Sequence, residues 1–361
     1  MGLAASSSAD DCELPSDKHE ATIYYFSGRG LADQIRWMLA ASQISFTQKI
    51  ISQRSQLLRM STRQLPFGQL PLLQIDGIEI VQSQSAIRYL AKRAGLQGKN
   101  DEEVLKCDMI VEAVRDLLGL VTDAPIARVK ARRLKQQKEK ETLPIAPSAT
   151  SSSASTTTSP SNISPTAVVV NPENSSPSNT VTASASPASS THLPTTAPTT
   201  TPAPSSAPSL NDAWGEHLNL MKDKWEFYGS RFEAIIRANQ RSLNSSSATS
   251  STAADSSNAS SSSSAPKGAV PGVVYDPNAQ YFLVGNSLTY ADILVAHITT
   301  WFVEECGHEI VSKMPFLVHL QNQVISLPGI KQFIKSVHYF PLGDEAYVEQ
   351  VSKVLGRNLL K

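Results

Sequence analysis

The 361-residue sequence has few cysteines, no excess of charge of either sign and no long apolar run. Its cysteines, Cys12, Cys107 and Cys306, are widely separated, which excludes a disulfide framework and indicates a reducing compartment. The 32 basic residues are balanced by 32 acidic ones, so the chain lacks the basic excess that nucleic-acid binding requires. No apolar stretch reaches the length of a membrane span, and the polar start is unlike a secretory signal. We therefore expect a cytoplasmic protein that binds no nucleic acid.

The N-terminus leaves two interpretations open. Its first residues fit the pattern M-G-x-x-x-[ST], with Gly2 and Ser6, which is typical of N-myristoylation. They are also a plain run of small residues, and we favour this interpretation because the pattern is short. A single acyl chain binds membranes only marginally. Peripheral membrane contact is therefore expected only if Gly2 is acylated.

Two segments of low complexity interrupt the chain. Residues 144–208 consist mostly of Ser, Thr, Pro and Ala, and residues 243–270 are rich in Ser. We expect both segments, and an N-terminal extension at residues 1–20, to be disordered. They contain too little apolar surface to offset the conformational entropy lost on folding. The remaining residues, roughly 240, are enough for one or two domains.

Residues 21–97 alternate between strand and helix patterns. The predicted order is a strand (ATIYYF), a helix (LADQIRWMLAASQ), a strand (ISFTQKII), a short helix (RSQLLRMSTRQL), a hairpin (LPLLQIDGIEIV) and a helix (SQSAIRYLAKRAG). The hairpin is expected to turn at Asp76-Gly77, and the last helix to begin at a Ser83 cap and to end at Gly95. This βαβ–ββα order predicts an α/β domain built on a four-stranded mixed sheet.

Residues 101–340 are predicted to form an all-α domain that both low-complexity segments interrupt. Its first helix has an acidic first turn and an apolar stripe of period 3.6, and it is expected to continue through ARVKARRLKQQKEK. Later helices are predicted at LNDAWGEHLNLMKDKWEFYGSRFEAIIRANQ, LTYADILVAHITTWFVEEC, MPFLVHLQNQVISL and GIKQFIKSVH. We interpret Thr289 and Asp292 as a capping box, and His297 as a core histidine. Residues 341–361 are expected to be a C-terminal tail.

Four motifs together resemble the cytosolic glutathione transferases, and the sigma class in particular. They are YFSGRG at residues 25–30, FGQLPLLQIDG at 67–77, VQSQSAIRYLAKRAGLQGK at 81–99 and GNSLTYADI at 285–293. The first three resemble the family patterns Y-F-x-x-R-G, F-G-x-x-P-x-L-x-x-D-G and Q-S-x-A-I-x-R-Y-L. The resemblance covers residues 21–143 and 209–340. It implies a thioredoxin-like N-terminal domain, a helical C-terminal domain, and a detoxification enzyme that joins the glutathione thiolate to small electrophiles.

The resemblance implies how glutathione would be activated and held. Tyr25 matches the family's catalytic tyrosine, whose O–H would stabilise the glutathione thiolate. Its neighbour Tyr24 should face the opposite side of the strand, because side chains alternate. Pro71 is implied to be cis, so that the backbone of Leu70 can pair with glutathione as an added strand would. The alternative is a trans proline at the start of a strand.

Further glutathione contacts follow from the same resemblance: Arg29, Arg63, Gln69, Gln82 and Ser83. Ser83 is equally interpretable as a plain helix cap. Asp116 matches an aspartate that reaches the glutathione of the other subunit, which implies a twofold homodimer. The alternative for Asp116 is a solvated helix carboxylate.

The resemblance leaves the electrophile and the exact reaction open. The residues expected to line the electrophile pocket are Gly28, Leu31 and Leu120. Some related enzymes hold a divalent ion with three acidic residues, but here Arg115 lies between Glu112 and Asp116, so we expect no metal. The alternatives are a glutathione-dependent isomerase or peroxidase acting on lipids such as prostaglandins, and a non-catalytic structural or scaffold protein with the same fold.

Overall fold

The computed structural model describes residues 20–60, 62–142, 213–251 and 274–361. Several expectations lie outside these residues. They are the N-terminal extension with Gly2, the low-complexity segment at 144–208, and most of the segment at 243–270.

A four-stranded mixed sheet forms the centre of the N-terminal domain. Its strands are β1 (Ala21–Tyr25), β2 (Phe46–Ile50), β3 (Leu72–Ile75) and β4 (Ile78–Val81). They lie in the order β2-β1-β3-β4; β1 pairs in parallel with β2 and antiparallel with β3, which pairs antiparallel with β4. The hairpin turns at Asp76 and Gly77 as predicted, and both residues have positive φ, which the favoured two-residue turn requires. The predicted βαβ–ββα arrangement is confirmed.

Three helices accompany the sheet, and one of them begins a residue away from the expected position. They are α1 (Asp33–Ala41), α2 (Arg54–Arg59) and α3 (Ser83–Arg93), and a 3₁₀ turn at Gly30–Ala32 precedes α1. The prediction that Ser83 caps α3 is wrong. Gln82 occupies the cap position with a φ of 66°, so Ser83 is the first residue whose backbone is helical. The helix ends before Gly95, whose φ of 69° lets the chain turn.

Helices are the regular elements of the C-terminal domain in its described part. Its helices are α4 (Asp101–Thr142), α5 (Ala213–Ser251), α6 (Tyr290–Cys306), α7 (Pro315–Ile325), α8 (Pro328–Ile334) and α9 (Glu345–Leu355). Helix α4 continues through the basic segment as expected. Helix α5 extends to Ser251, beyond the residue 243 at which the Ser-rich segment was expected to begin. No helix in the described ranges is long and apolar enough to cross a membrane.

Helix α6 is the centre of this domain and is buried on nearly every side, because it packs against α1, α5 and α7. Its start is the predicted capping box. The Asp292 carboxylate accepts hydrogen bonds from the backbone N–H groups of Thr289 and Leu283, both at 2.7 Å, and from the Thr289 hydroxyl at 2.8 Å. Burial raises the pKa of Asp292 to about 6. The structural interpretation of this carboxylate is confirmed.

Residues 341–361 are more ordered than the expected tail, because they contain helix α9. The Asp344 side chain caps the helix by accepting a hydrogen bond from the Tyr347 N–H at 2.9 Å, and Gly356 ends it in the left-handed conformation. Val348, Val351 and Val354 are buried at a spacing of three residues. Cap, glycine and apolar stripe are all visible in the sequence, so this helix was predictable.

Candidate active site

Tyr25 stands at the end of β1 with its ring almost completely buried. Its phenolic oxygen accepts a hydrogen bond of 2.9 Å from the backbone N–H of Leu31. Burial raises the pKa of Tyr25, and the opposing effects of the Leu31 N–H and the positive charge of Arg36 do not cancel this rise. The phenol therefore keeps its proton at neutral pH. Because the Leu31 bond uses the oxygen as an acceptor, the O–H remains able to donate.

The turn after β1 requires glycine at residue 30. Gly30 has a φ of 47°, and a Cβ atom there would lie 2.3 Å from the phenolic oxygen of Tyr25. A side chain would therefore collide with the hydroxyl group that the turn presents. The motif YFSGRG thus has a local physical reason at its last position.

Tyr24 faces the other side of β1, as the alternation of side chains predicts. Its hydroxyl donates to Gln74 Oε1 at 2.9 Å and accepts from Lys49 Nζ at 3.1 Å. Only Tyr25 of the two tyrosines therefore meets the turn.

A polar group of residues surrounds the start of α3. The Leu70–Pro71 peptide bond is cis, as predicted. Within the described residues, the backbone of Leu70 makes no hydrogen bond. The Gln82 Nε2 atom lies 3.4 Å from Gln69 Oε1, and Ser83 opens the helix beside them. The structure thus brings Gln69 close to Gln82 and Ser83 at the start of α3.

Arg63 lies beside a different surface. It lines an open groove of about 830 Å³ along the β3–β4 hairpin, together with Gln64, Gln74 and Glu79. Hydrogen bonds from Gln64 and Gln74, and the positive charge of Arg63, lower the pKa of Glu79. Neither Gln69 nor Gln82 lines this groove.

Arg29 is buried and has partners in the helical domain. Its guanidinium forms an ion pair with Glu304 of α6 and donates to the Phe340 carbonyl oxygen at 2.7 Å. It also lies over the Tyr339 ring, 4.7 Å from the ring centre. Arg29 therefore connects the turn after β1 to α6 and to the segment that leads into α9.

Helix α9 covers the same turn. A Cβ atom on Gly28 would lie 2.2 Å from the Tyr347 ring, and the Ser27 hydroxyl donates to Gln350 Oε1 at 2.6 Å. Between the turn and α9 is a cavity of about 340 Å³. Of the expected pocket residues, Gly28 lines this cavity, whereas Leu31 and Leu120 do not. Leu31 is 39% exposed, and the Leu120 carbonyl lies 2.9 Å from His217 Nε2.

A buried ionic network packs against the turn, and its pairing could not be predicted from the sequence. Asp33 at the start of α1 lies 3.1 Å from His297 Nε2 of α6 and 3.4 Å from Arg36 Nη1. Burial opposes the charge of Asp33, but the His297 hydrogen bond and the nearby positive charges outweigh it, so the pKa of Asp33 is lowered. His297 is a core histidine, as expected, and links α6 to α1.

Asp116 is exposed on α4 and accepts a hydrogen bond of 2.8 Å from the Tyr228 hydroxyl of the same chain. Its neighbour Glu112 bonds to Arg88 Nη2 at 2.7 Å and to Arg115 Nη1 at 3.2 Å. Across the described ranges, no three side chains of metal-ligating type form a cluster. The structure therefore shows Asp116 engaged within its own chain.

Comparisons with known proteins point to one family. The family model for the glutathione S-transferase N-terminal domain matches residues 21–92, and that for the glutathione S-transferase C-terminal domain matches residues 272–337. Glutathione S-transferase A4 of Mus musculus is 37% identical over 111 residues, which are 30% of this chain and 50% of that protein. Glutathione S-transferase alpha-4 of Rattus norvegicus is 36% identical over 104 residues, 28% of this chain and 47% of that protein.

The chain thus spans about half the length of the relatives it matches. Among solved structures, prostaglandin synthase D of Nilaparvata lugens is similar at 17% identity, with a TM-score of 0.46. The match covers 88% of this chain and 97% of that one. The sheet and the helical domain agree with the two family models, so residues 21–92 and 272–337, less than half of this chain, have the fold of the glutathione S-transferase N-terminal and C-terminal domains.

Proposed function

We propose that this protein is a glutathione transferase that conjugates the glutathione thiolate to small electrophiles. The observation that carries the proposal is the buried, protonated phenol of Tyr25, which is fixed by the Leu31 N–H and free to donate its own proton. A thiol with a pKa near 8.5 is mostly protonated at pH 7. Lowering that pKa by about two units requires about 2.7 kcal/mol. One hydrogen bond to a charged group contributes about 1.5–3 kcal/mol, so Tyr25 alone is sufficient.

The glutathione-binding site is proposed beside the start of α3. The unbonded Leu70 backbone pairs with the peptide as an added strand, and Gln69 and Gln82 contact it through their amides. Ser83 and the free N–H groups of the α3 N-terminus receive the γ-glutamyl carboxylate.

The bottom of the glutathione site and the electrophile pocket are proposed on either side of the turn after β1. Arg29 stabilises the bottom of the site through its contacts with Glu304 and Phe340. The electrophile occupies the cavity between Gly28 and helix α9.

A homodimer is proposed from one face of α4. Leu105 and Met109 are 60% and 65% exposed and are four residues apart, so they lie on one side of the helix. Asp116 follows Met109 by seven residues, about two helical turns, so it lies on the same side of α4 and would approach the glutathione of the second subunit. Sedimentation velocity of the parent and of Met109→Asp tests this, and a monomeric parent would refute it.

The transferase class and the cellular location are also proposals. The sequence motifs resemble the sigma class, while the relatives carry alpha-class names. An isomerase or peroxidase reaction would use the same thiolate at Tyr25. We propose a cytoplasmic location from the sparse cysteines, with membrane contact only if Gly2 is acylated, which mass spectrometry of the N-terminus would decide.

The test is conjugation of glutathione to a generic aryl halide by the parent, Tyr25→Phe and Tyr24→Phe. If the thiol pKa returns from about 6.5 to about 8.5 without the phenol, the thiolate fraction at pH 6.5 falls from about one half to about one hundredth. We therefore expect Tyr25→Phe to lose about 50-fold in kcat/KM at that pH. Tyr24→Phe is the matched control, because its hydroxyl lies on the other side of β1, and it should stay within about twofold.

Two outcomes would contradict the proposal. Equal activity of Tyr25→Phe and the parent would remove the phenol from the reaction. An inactive parent that is retained on immobilised glutathione would instead indicate a binding or scaffold protein.

A further inference from the structure

Arg36 of α1 lies entirely inside the protein and holds the turn that follows β1. Its Nη1 atom donates to the backbone carbonyl of Arg29 at 3.0 Å, and its Nε atom donates to Gln48 Oε1 of β2 at 2.8 Å. Two residues after Arg29, the Leu31 N–H donates to the phenolic oxygen of Tyr25. A guanidinium forms such bonds in a fixed planar geometry, so it restrains the backbone it contacts. Arg36 therefore fixes the peptide units that aim the Leu31 N–H.

The charge of Arg36 is also close to the phenol. Its guanidinium carbon lies 5.9 Å from the centre of the Tyr25 ring and 4.8 Å from that of Phe340. Within the described residues, Arg36 Nη2 is buried and donates to no atom. A buried cation with spare donor capacity favours negative charge that forms nearby.

We propose that Arg36 is a positioning residue for Tyr25. By holding the Arg29 carbonyl it fixes the turn that presents Leu31 to the phenol. Its buried charge favours the thiolate to which the phenol donates a hydrogen bond. The inference rests on the proposed transferase function and assigns to Arg36 the task of setting the acidity of that site.

Other charged and titratable groups act on Tyr25 beside Arg36. Asp33 on α1 and Tyr347 on α9 act on the phenol itself. Asp33 also meets Arg29 of the turn and His297 of α6, and Glu304 of α6 pairs with Arg29. At about 6 Å and an effective dielectric constant near 20, a full charge shifts a pKa by about two units. Asp33 opposes Arg36 at this site, but its charge stays in place when Arg36 is replaced, so we expect removal of the Arg36 charge to shift the pKa by about two units.

The experiment measures the pH profile of kcat/KM for glutathione in the parent, Arg36→Gln and Arg36→Lys. Arg36→Gln should move the apparent pKa up by about two units, so that activity falls about 100-fold at acidic pH and recovers at alkaline pH. Arg36→Lys keeps the charge but not the planar fork. It should therefore retain the parent's apparent pKa within about 0.3 units and lose about threefold to tenfold in kcat.

A second measurement does not depend on turnover. Ultraviolet difference titration, with Tyr25→Phe as the blank, follows ionisation of the Tyr25 phenol in the parent and in Arg36→Gln. The phenol should titrate at higher pH in Arg36→Gln. If the parent conjugates nothing, the transferase proposal fails while this titration still tests the inference. Circular dichroism checks folding, and if Arg36→Gln does not fold, the result for Arg36→Lys decides.

The matched control is Arg237→Gln. Arg237 of α5 also lies over an aromatic ring, 4.7 Å from the centre of Phe316, and pairs with the buried Glu233. It makes no contact with the turn and should leave the pH profile unchanged. The inference is overturned if Arg36→Gln loses the same fraction of activity at every pH with an unshifted phenol titration. It is also overturned if Arg36→Lys matches the parent in kcat.

Discussion

Gly30→Ala should disable the turn that presents the Tyr25 hydroxyl, through two effects that can be separated. Alanine at a φ of 47° is strained, because the left-handed region costs an L-residue about 1–2 kcal/mol. In addition, the new Cβ would lie 2.3 Å from the phenolic oxygen and 2.8 Å from the ring edge. Ordinary contacts of a Cβ atom begin at 3.4 Å. The Tyr25 ring must therefore withdraw by about 1 Å.

This displacement fixes the expected magnitudes. Withdrawal of the ring lengthens the 2.9 Å bond from Leu31 and leaves a buried polar group unpaired, which costs about 1–3 kcal/mol. Together with the backbone strain, the free energy of unfolding should fall by about 2–5 kcal/mol. A misplacement of 1 Å at a reacting group costs about 100-fold in rate, so kcat/KM should fall by about that factor.

The assay pairs Gly30→Ala with Gly95→Ala. Gly95 has a φ of 69°, but a Cβ atom there meets nothing within 4 Å. Gly95→Ala therefore reports the backbone cost alone, about 1–2 kcal/mol in urea unfolding, with aryl halide conjugation within about twofold of the parent. If Gly30→Ala is no less stable than Gly95→Ala and conjugates glutathione at the parent's rate, the claim that this turn positions Tyr25 is refuted.

Two further changes probe the helical domain. Asp292→Asn should lower the free energy of unfolding by about 1–3 kcal/mol in urea, because the amide turns an N–H toward a backbone donor. The folded pKa of Asp292 is about 6, above its value of 3.8 when unfolded, so its contribution falls as pH rises through this range. The gap between the two proteins should therefore be wider at pH 5 than at pH 7, and a constant gap would contradict the assigned burial. Arg133→Ala should leave the free energy of unfolding nearly unchanged but speed amide hydrogen exchange in Glu345–Leu355, since Arg133 pairs with Glu345 and Glu349. Exchange as slow as in the neighbouring control variant Arg132→Ala would refute this.

The elements that sequence predicted well are those specified by neighbouring residues. The turn at Asp76-Gly77 depends on two adjacent residues and the capping box on Thr289 and Asp292, three positions apart, so both patterns are complete within a short window. The cis bond before Pro71 came from a family motif rather than from such a pattern. Local signals and motifs therefore gave the strands, most of the helices and the residues around α3.

The parts that sequence could not give depend on partners far along the chain. Arg29 was expected only as a glutathione contact, yet it pairs with Glu304, 275 residues away. The pairing of Asp33 with His297 spans 264 residues. No local pattern reveals which buried charges will meet, because the meeting is decided by the packing of α1 against α6. Helix α9 is a different case. Its cap and apolar stripe are present in the sequence, but residues 341–361 were expected to be a tail.

The second half of α4, which directly precedes the first low-complexity segment, contacts α6 and α9. Beyond Pro125, Arg128 pairs with Glu305 and donates to the Gly343 carbonyl at 3.4 Å, and Arg133 pairs with α9. The same helix then runs directly into residues 143–212. The turns of α4 that precede the low-complexity segment are therefore the turns that hold α9 over Gly28. We expect a shortened chain that lacks residues 144–208 to retain these contacts. One cut back past Arg133 should lose the two Arg133 ion pairs and hold α9 less firmly over Gly28.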